Sequence, residues 1–333
     1  MNILILMALF SLNQNSLVIN NSNGSMAFVG STNKTSAIYY FNNNLDSPIE
    51  LVKYEKDIIN MAWSPAGNKI AFLGINNNHV PQLCVYDIPK RKVKKIVKYD
   101  MKYNFYNILF FSWIDVNNIL YYDIKNNKNK LHIIDVNKSC NKYEILLPLL
   151  DMTILDISTS HNGKFIAVAD LNDIYVYNTL DKFWKKITAK SNGTCNHLKW
   201  SLDDNKLFYN QGAMSVIYNF VENDHIGLIK YIHNMEWLPI ENQIVYNETS
   251  INNDNSNLFM YNINANIFYK LTNIDDGYIR AYSVLNDSFL IYEISYKDKK
   301  VLQLLNIKSK QNNIYISNQY SPRLPTVYFN KYK

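Results

Sequence analysis

Six times along the chain a short apolar run ends in Asp or Asn: Val85-Tyr86-Asp87-Ile88, Ile133-Ile134-Asp135-Val136, Val176-Tyr177-Asn178-Thr179, Ile217-Tyr218-Asn219-Phe220, Met260-Tyr261-Asn262-Ile263 and Leu304-Leu305-Asn306-Ile307. With a weaker first copy, Tyr40-Phe41-Asn42-Asn43, the markers stand at 42, 87, 135, 178, 219, 262 and 306, in steps of 45, 48, 43, 41, 43 and 44 residues. A period of this size means that one supersecondary unit is repeated, and that each copy buries its faces only against its neighbours.

A second motif runs about 24 residues ahead of the markers, and its sharpest copy is Trp63-Ser64-Pro65-Ala66-Gly67-Asn68-Lys69-Ile70-Ala71-Phe72. Looser copies start at Trp113, Ser160, Trp200, Trp237 and Ser283. Each repeat therefore reads as an apolar run, a turn rich in Pro, Gly, Asn or Asp, a second run, a variable loop, the run ending in Asp or Asn, and a last run such as Tyr269-Lys270-Leu271-Thr272. Four short strands per repeat is the pattern of a β-propeller blade, and the expected fold is all-β with seven blades. The Asp and Asn markers are expected to form turns by bonding their own backbone. The Trp residues are expected to pack one blade on the next.

The Trp63–Phe72 run followed by Val85-Tyr86-Asp87-Ile88 resembles the repeat of TolB-type propellers, within the wider set of WD-like repeats, and the period extends the resemblance over residues 16–330. Most copies lack the Pro or the Gly, seven repeats stand where TolB has six blades, and no separate α/β domain precedes the repeats. There is no Gly-His or Trp-Asp pair of the WD kind. The resemblance implies a periplasmic protein whose partner is an envelope lipoprotein or another envelope protein. Dipeptidyl-peptidase-type enzymes carry similar Ser-Pro-x-Gly turns in a propeller that gates a hydrolase, but this chain has no room for the hydrolase.

The 333 residues are used up by seven such repeats, so 16–330 is expected to be one domain. Apolar content of 47% excludes a disordered chain. Net charge is +6, and its densest cluster, Lys90-Arg91-Lys92 with Lys94 and Lys95, reads as the solvated face of an outer strand. No nucleic-acid signature accompanies it, so no nucleic-acid partner is expected.

Residues 1–15 have two readings. Ile3 to Phe10 is an apolar stretch of signal-peptide length and far too short for a membrane span, which favours export to the periplasm or secretion. As a strand it would pair with the C-terminal half-repeat Tyr320 to Phe329, closing the ring or completing an eighth blade in a cytoplasmic protein. Cys84, Cys140 and Cys195 lie in different repeats without metal spacing and read as small buried residues.

No nucleophile elbow, zinc-protease helix, Walker loop or dinucleotide fingerprint is present, and no catalytic residue, cofactor or metal is expected. His197, His233, Glu236, Arg280 and Asp156 fall on the predicted first strands of four repeats, where they would face a channel mouth. The alternative function, an enzyme or small-ligand binder, would use them. The favoured reading is a non-catalytic scaffold that binds a protein partner through variable loops, the longest being Gly74–Pro81, Asp100–Tyr106 and Thr249–Asn257.

Overall fold

The computed structural model describes residues 26–31, 35–41, 48–99, 110–125, 128–138, 142–149, 152–188, 193–228, 230–232, 234–240, 242–249, 255–284, 288–296, 299–316 and 323–327. Ile3–Phe10, Asn42, Asp100–Tyr106, Cys140 and His233 lie outside the described residues. Seven four-stranded antiparallel sheets form the blades of a β-propeller. Two compact units divide them.

The first unit holds blades 3 to 5. Blade 3 comprises β8 (Phe111–Trp113), β9 (Asn118–Lys125), β10 (Lys128–Asp135) and β11 (Lys142–Ile145). Blade 4 comprises β12 (Asp156–Thr159), β13 (Phe165–Ala169), β14 (Ile174–Asn178) and β15 (Phe183–Lys186). Blade 5 comprises β16 (Cys195–Trp200), β17 (Lys206–Gln211), β18 (Met214–Asn219) and β19 (Asp224–Gly227).

The second unit holds blades 1, 2, 6 and 7. Blade 1 comprises β1 (Met26–Ser31), β2 (Ser36–Phe41) and β3 (Ile49–Tyr54), and blade 2 comprises β4 (Asp57–Trp63), β5 (Lys69–Ile75), β6 (Pro81–Asp87) and β7 (Lys92–Lys98). Blade 6 is β20 (Met235–Trp237), β21 (Gln243–Thr249), β22 (Ser256–Asn262) and β23 (Ile267–Lys270). Blade 7 is β24 (Tyr278–Val284), β25 (Phe289–Tyr296), β26 (Lys299–Asn306) and β27 (Asn312–Ile316). The last strand, β28 (Arg323–Val327), pairs antiparallel with β1 and completes blade 1. The C-terminal half-repeat is thus the missing first strand of blade 1, and the eight-blade alternative is corrected to seven.

Second strands are packed on both faces, so they read as continuous apolar runs: Ile70-Ala71-Phe72-Leu73 and Ile244-Val245-Tyr246 are all buried. Apolar clusters join neighbouring blades within each unit, as when Ile38, Ile58, Ile70 and Phe72 tie blades 1 and 2. Removing each such side chain from water contributes roughly 1.5–3 kcal/mol. Two of the Trp residues pack between blades as expected: Trp63 meets Tyr40 of blade 1, and Trp200 stacks on Phe165 of blade 4 and Phe220 of blade 5, its Nε1 donating to the Ser158 carbonyl.

The two motifs have local causes. At the first turn, Ser64, Ser160 and Ser201 each accept, on Oγ, the N–H of the residue five positions on, at 3.1, 2.9 and 2.9 Å. Gly67, Gly163 and Asp204 take the left-handed conformation there, three residues after the Ser. At the second turn Asp87, Asp135, Asn178, Asn219, Asn262 and Asn306 each accept a main-chain N–H two or three residues ahead on the side-chain oxygen. These six marker residues therefore hold the hairpins into the fourth strands of blades 2 to 7.

Candidate functional site

Asp156 opens β12, is 1% exposed, and has both carboxylate oxygens occupied by main chain. Oδ1 accepts the N–H of Ile157 and Oδ2 that of Leu198, each at 2.8 Å, so the side chain ties blade 4 to blade 5. Asp57 fills a related place in blade 2, accepting Ile58 N–H at 2.8 Å and the Ser36 hydroxyl at 3.0 Å. Within the first unit, Asp156 therefore reaches the residue next to His197.

His197 lies in β16 where pairing with β17 jumps from Asn196 to Lys199, a bulge in the first strand of blade 5. Its φ is +60°, and among the described residues it is the one non-glycine with a left-handed backbone inside a strand. The Nδ1 atom stands 2.7 Å from Asn196 Oδ1 and 3.2 Å from Asn210 Nδ2. Asn210 Nδ2 donates to the Ile232 carbonyl at 2.8 Å, and its oxygen accepts the Ser215 hydroxyl at 2.5 Å. Ser215 in turn accepts Ile232 N–H at 2.7 Å, so Asn210 and Ser215 clamp both polar groups of one residue at the exit of blade 5.

Tyr231 lies edge-on to the His197 ring and donates to Asn196 Oδ1 at 3.4 Å. Burial pushes its phenol above the ordinary value, against the lowering effect of hydrogen bonds with Asn210 and Asn196. Asn196, Asn210, Ser215 and Tyr231 were not singled out from sequence. The one available signal was a pair of amides, Asn210 and Gln211, closing the apolar run Leu207-Phe208-Tyr209.

The second unit places Glu236 in the middle of β20 and Arg280 in β24. Glu236 is half-buried and near Tyr282, whose phenol is raised chiefly by burial and further by the Glu236 charge. Tyr282 donates to the Asn234 carbonyl at 2.7 Å. Arg280 is exposed where the β24 pairing skips from Ile279 to Ala281, a bulge like that at His197. Among the described residues no three His, Cys, Asp or Glu side chains gather closely enough to hold a metal ion. No helix of the described residues is long and apolar enough to cross a membrane.

No protein-family model matches the chain. No curated protein matches it either. Solved structures do. TolB from Acinetobacter baumannii is 14% identical with a TM-score of 0.54, the match covering 91% of this chain and 66% of that one. The β-propeller domain of the Trilobed protease from Pyrococcus furiosus is 13% identical with a TM-score of 0.64, covering 90% and 94%. An oligogalacturonate lyase in complex with manganese is 11% identical with a TM-score of 0.69, covering 89% of each chain. The chain has the propeller fold that TolB shares. The chain spans just under two thirds of TolB's length, and at these identities the likeness is one of fold.

Proposed function

We propose that this chain is a non-catalytic propeller scaffold that binds a protein partner through its loop-bearing faces. The observation carrying this reading is how the polar groups of blades 4 and 5 are used. Asp156, Asn210 and Ser215 are all buried and bonded to main chain, Asp156 to Leu198 of the following blade and Asn210 and Ser215 to Ile232 at the exit of blade 5. The loops between second and third strands, by contrast, vary. They span 76–80 in blade 2, 170–173 in blade 4 and 212–213 in blade 5. A fixed scaffold with variable loops is an arrangement suited to recognition.

The Trp63–Phe72 motif and the fold shared with TolB support an envelope role, with a lipoprotein or other envelope protein as partner and a periplasmic or secreted location. A second reading, a propeller enzyme or small-ligand binder, is favoured by the left-handed His197 at its bulge, since strained positions and bulges cluster at functional sites. One comparison separates them. A variant with His197, His233, Glu236 and Arg280 all changed to Ala should keep a cross-linked native partner, while replacing residues 76–80 or 170–173 should release it. Loss of partner binding, or of a measured turnover, in the fourfold variant alone would favour the channel reading. Intact mass of the native protein tests location: loss of about the first 11 to 16 residues marks export.

A further inference from the structure

The segment 90–98 contains six basic residues, Lys90, Arg91, Lys92, Lys94, Lys95 and Lys98, and no acidic one. The chain has 34 Lys and Arg against 28 Asp and Glu, so outside this segment the charges balance and its +6 equals the net charge of the whole protein. Four of the six lie on β7, the outer strand of blade 2. At seven residues β7 is the longest of the outer strands, the others having four to six. Among the described residues no strand pairs with its outer edge, so one row of its main-chain donors and acceptors faces outward.

Lysines stand on both faces of this edge. Lys92 and Lys94 sit opposite Asp87 and Val85 on one face, Lys95 sits opposite Cys84 on the other, and beyond the irregularity at Ile96, Lys98 sits opposite Gln82 on the same face as Lys95. Lys90 pairs with Asp87 at 2.8 Å and Lys95 reaches Glu55 at 3.7 Å. Arg91, Lys92 and Lys98 make no ion pair among the described residues. Such an edge repels a copy of itself and disfavours uncharged strands. A strand carrying Glu or Asp meets no such barrier, because its side chains, which also point to both faces, fall beside the lysines. A stacking platform for single-stranded nucleic acid needs aromatic side chains, and β7 has none.

We infer that the outer edge of β7 receives an acidic, extended segment of a partner polypeptide by strand addition. This rests on the proposed function only in taking the partner to be a polypeptide, and it uses a surface other than the loops.

The test is fluorescence anisotropy of the full chain with the labelled seven-residue peptide Glu-Glu-Val-Val-Glu-Glu-Val, which carries Glu on both faces when extended. Comparison probes are its Lys-Val counterpart with Lys in place of each Glu, the acidic peptide N-methylated at every residue so that both strand edges are blocked, single-stranded DNA and phosphatidylserine vesicles. The acidic peptide should bind, weaken at least about tenfold on N-methylation, and weaken further as salt shortens the Debye length to about 3 Å. Changing Lys92, Lys94, Lys95 and Lys98 together to Glu should transfer binding to the Lys-Val peptide. Equal binding of the N-methylated peptide, tighter binding of DNA or vesicles, or no peptide binding at all overturns the inference. If the peptide fails while the native partner still cross-links and still depends on the loops, the proposed function stands without it.

Discussion

The Asp156 carboxylate accepts the main-chain N–H of Leu198 at 2.8 Å across 42 residues of sequence, joining the first strands of blades 4 and 5. Hydrogen bonds to a charged group are worth about 1.5–3 kcal/mol, and a buried N–H left without an acceptor costs about 1–3 kcal/mol. Asp156→Ala should therefore lower stability by about 3 kcal/mol, and Asp156→Asn, which keeps one acceptor oxygen, by about 1 kcal/mol. Urea unfolding of both variants checks this. Near-equal midpoints for Asp156→Ala and the parent protein would remove Asp156 from the frame and return it to the channel candidates.

Five hairpins place a non-glycine residue in the left-handed region four positions after the marker: Arg91, Lys182, Asn223, Asn266 and Lys310, with φ from 51° to 58°. A left-handed residue with a Cβ costs roughly 1–2 kcal/mol, and glycine avoids that while losing roughly 0.5–1 kcal/mol of chain entropy. Lys182→Gly and Lys310→Gly should each raise the melting temperature, with a gain of about 0.5–1 kcal/mol. Asn223→Gly should do the opposite, because Asn223 Oδ1 accepts Lys185 Nζ at 2.7 Å and the Tyr218 hydroxyl at 2.5 Å. A melting series in which all three move together would sink this account.

Asp204 sits left-handed in the first turn of blade 5 and accepts the N–H groups of His161 and Asn162 at 2.7 and 2.9 Å, with His161 Nδ1 at 2.8 Å. Burial pushes its carboxyl up, but the hydrogen bond and charge of His161 and the two N–H groups outweigh burial, and its pKa falls below the ordinary value. A carboxyl lowered in the folded state stabilises it fully above the unfolded pKa of about 3.9, and that contribution is lost as pH falls through the lower, folded value. The stability difference between the parent and Asp204→Asn should therefore shrink as the solution is acidified below about pH 4. Denaturant midpoints taken at several pH values test the sign; a gap that widens on acidification contradicts it.

The features legible in the sequence are those whose cause is local. Asp87 and Asn306 bond N–H groups within three residues, and Ser64 bonds one five residues on, so the turn chemistry repeats wherever the residues repeat. The seven-blade period followed from them. Less was visible wherever the partner is distant. Asp156 and His197 were placed on first strands correctly, but nothing near them announced that Leu198 would occupy the Asp156 carboxylate or that Asn210 and Ser215 would clamp Ile232. The strand closing blade 1 depended on pairing residues at opposite ends of the chain, and its partner is Met26–Ser31. Polarity also misled: Gly74–Pro81 reads as a long loop, yet strands run to Ile75 and resume at Pro81. Between them Asn76 folds a tight turn by accepting Val80 N–H.

Cys84 and Cys195 were read from sequence as small buried residues, and both are buried free thiols. Burial pushes Cys84 up to about 11, against a smaller lowering by its Tyr54 hydrogen bond, and burial pushes Cys195 up to about 12. Since the thiolate is the reactive form, at pH 8 only about one in a thousand Cys84 side chains and about one in ten thousand Cys195 side chains would be ionised. In a Cys140→Ser background, iodoacetamide should leave the folded protein unmodified over hours and label two sites once urea unfolds it. Rapid labelling of the folded chain at Cys84 would mean that the contact between blades 1 and 2 opens locally, because Cys84 packs in their shared cluster beside Tyr54 and Phe72.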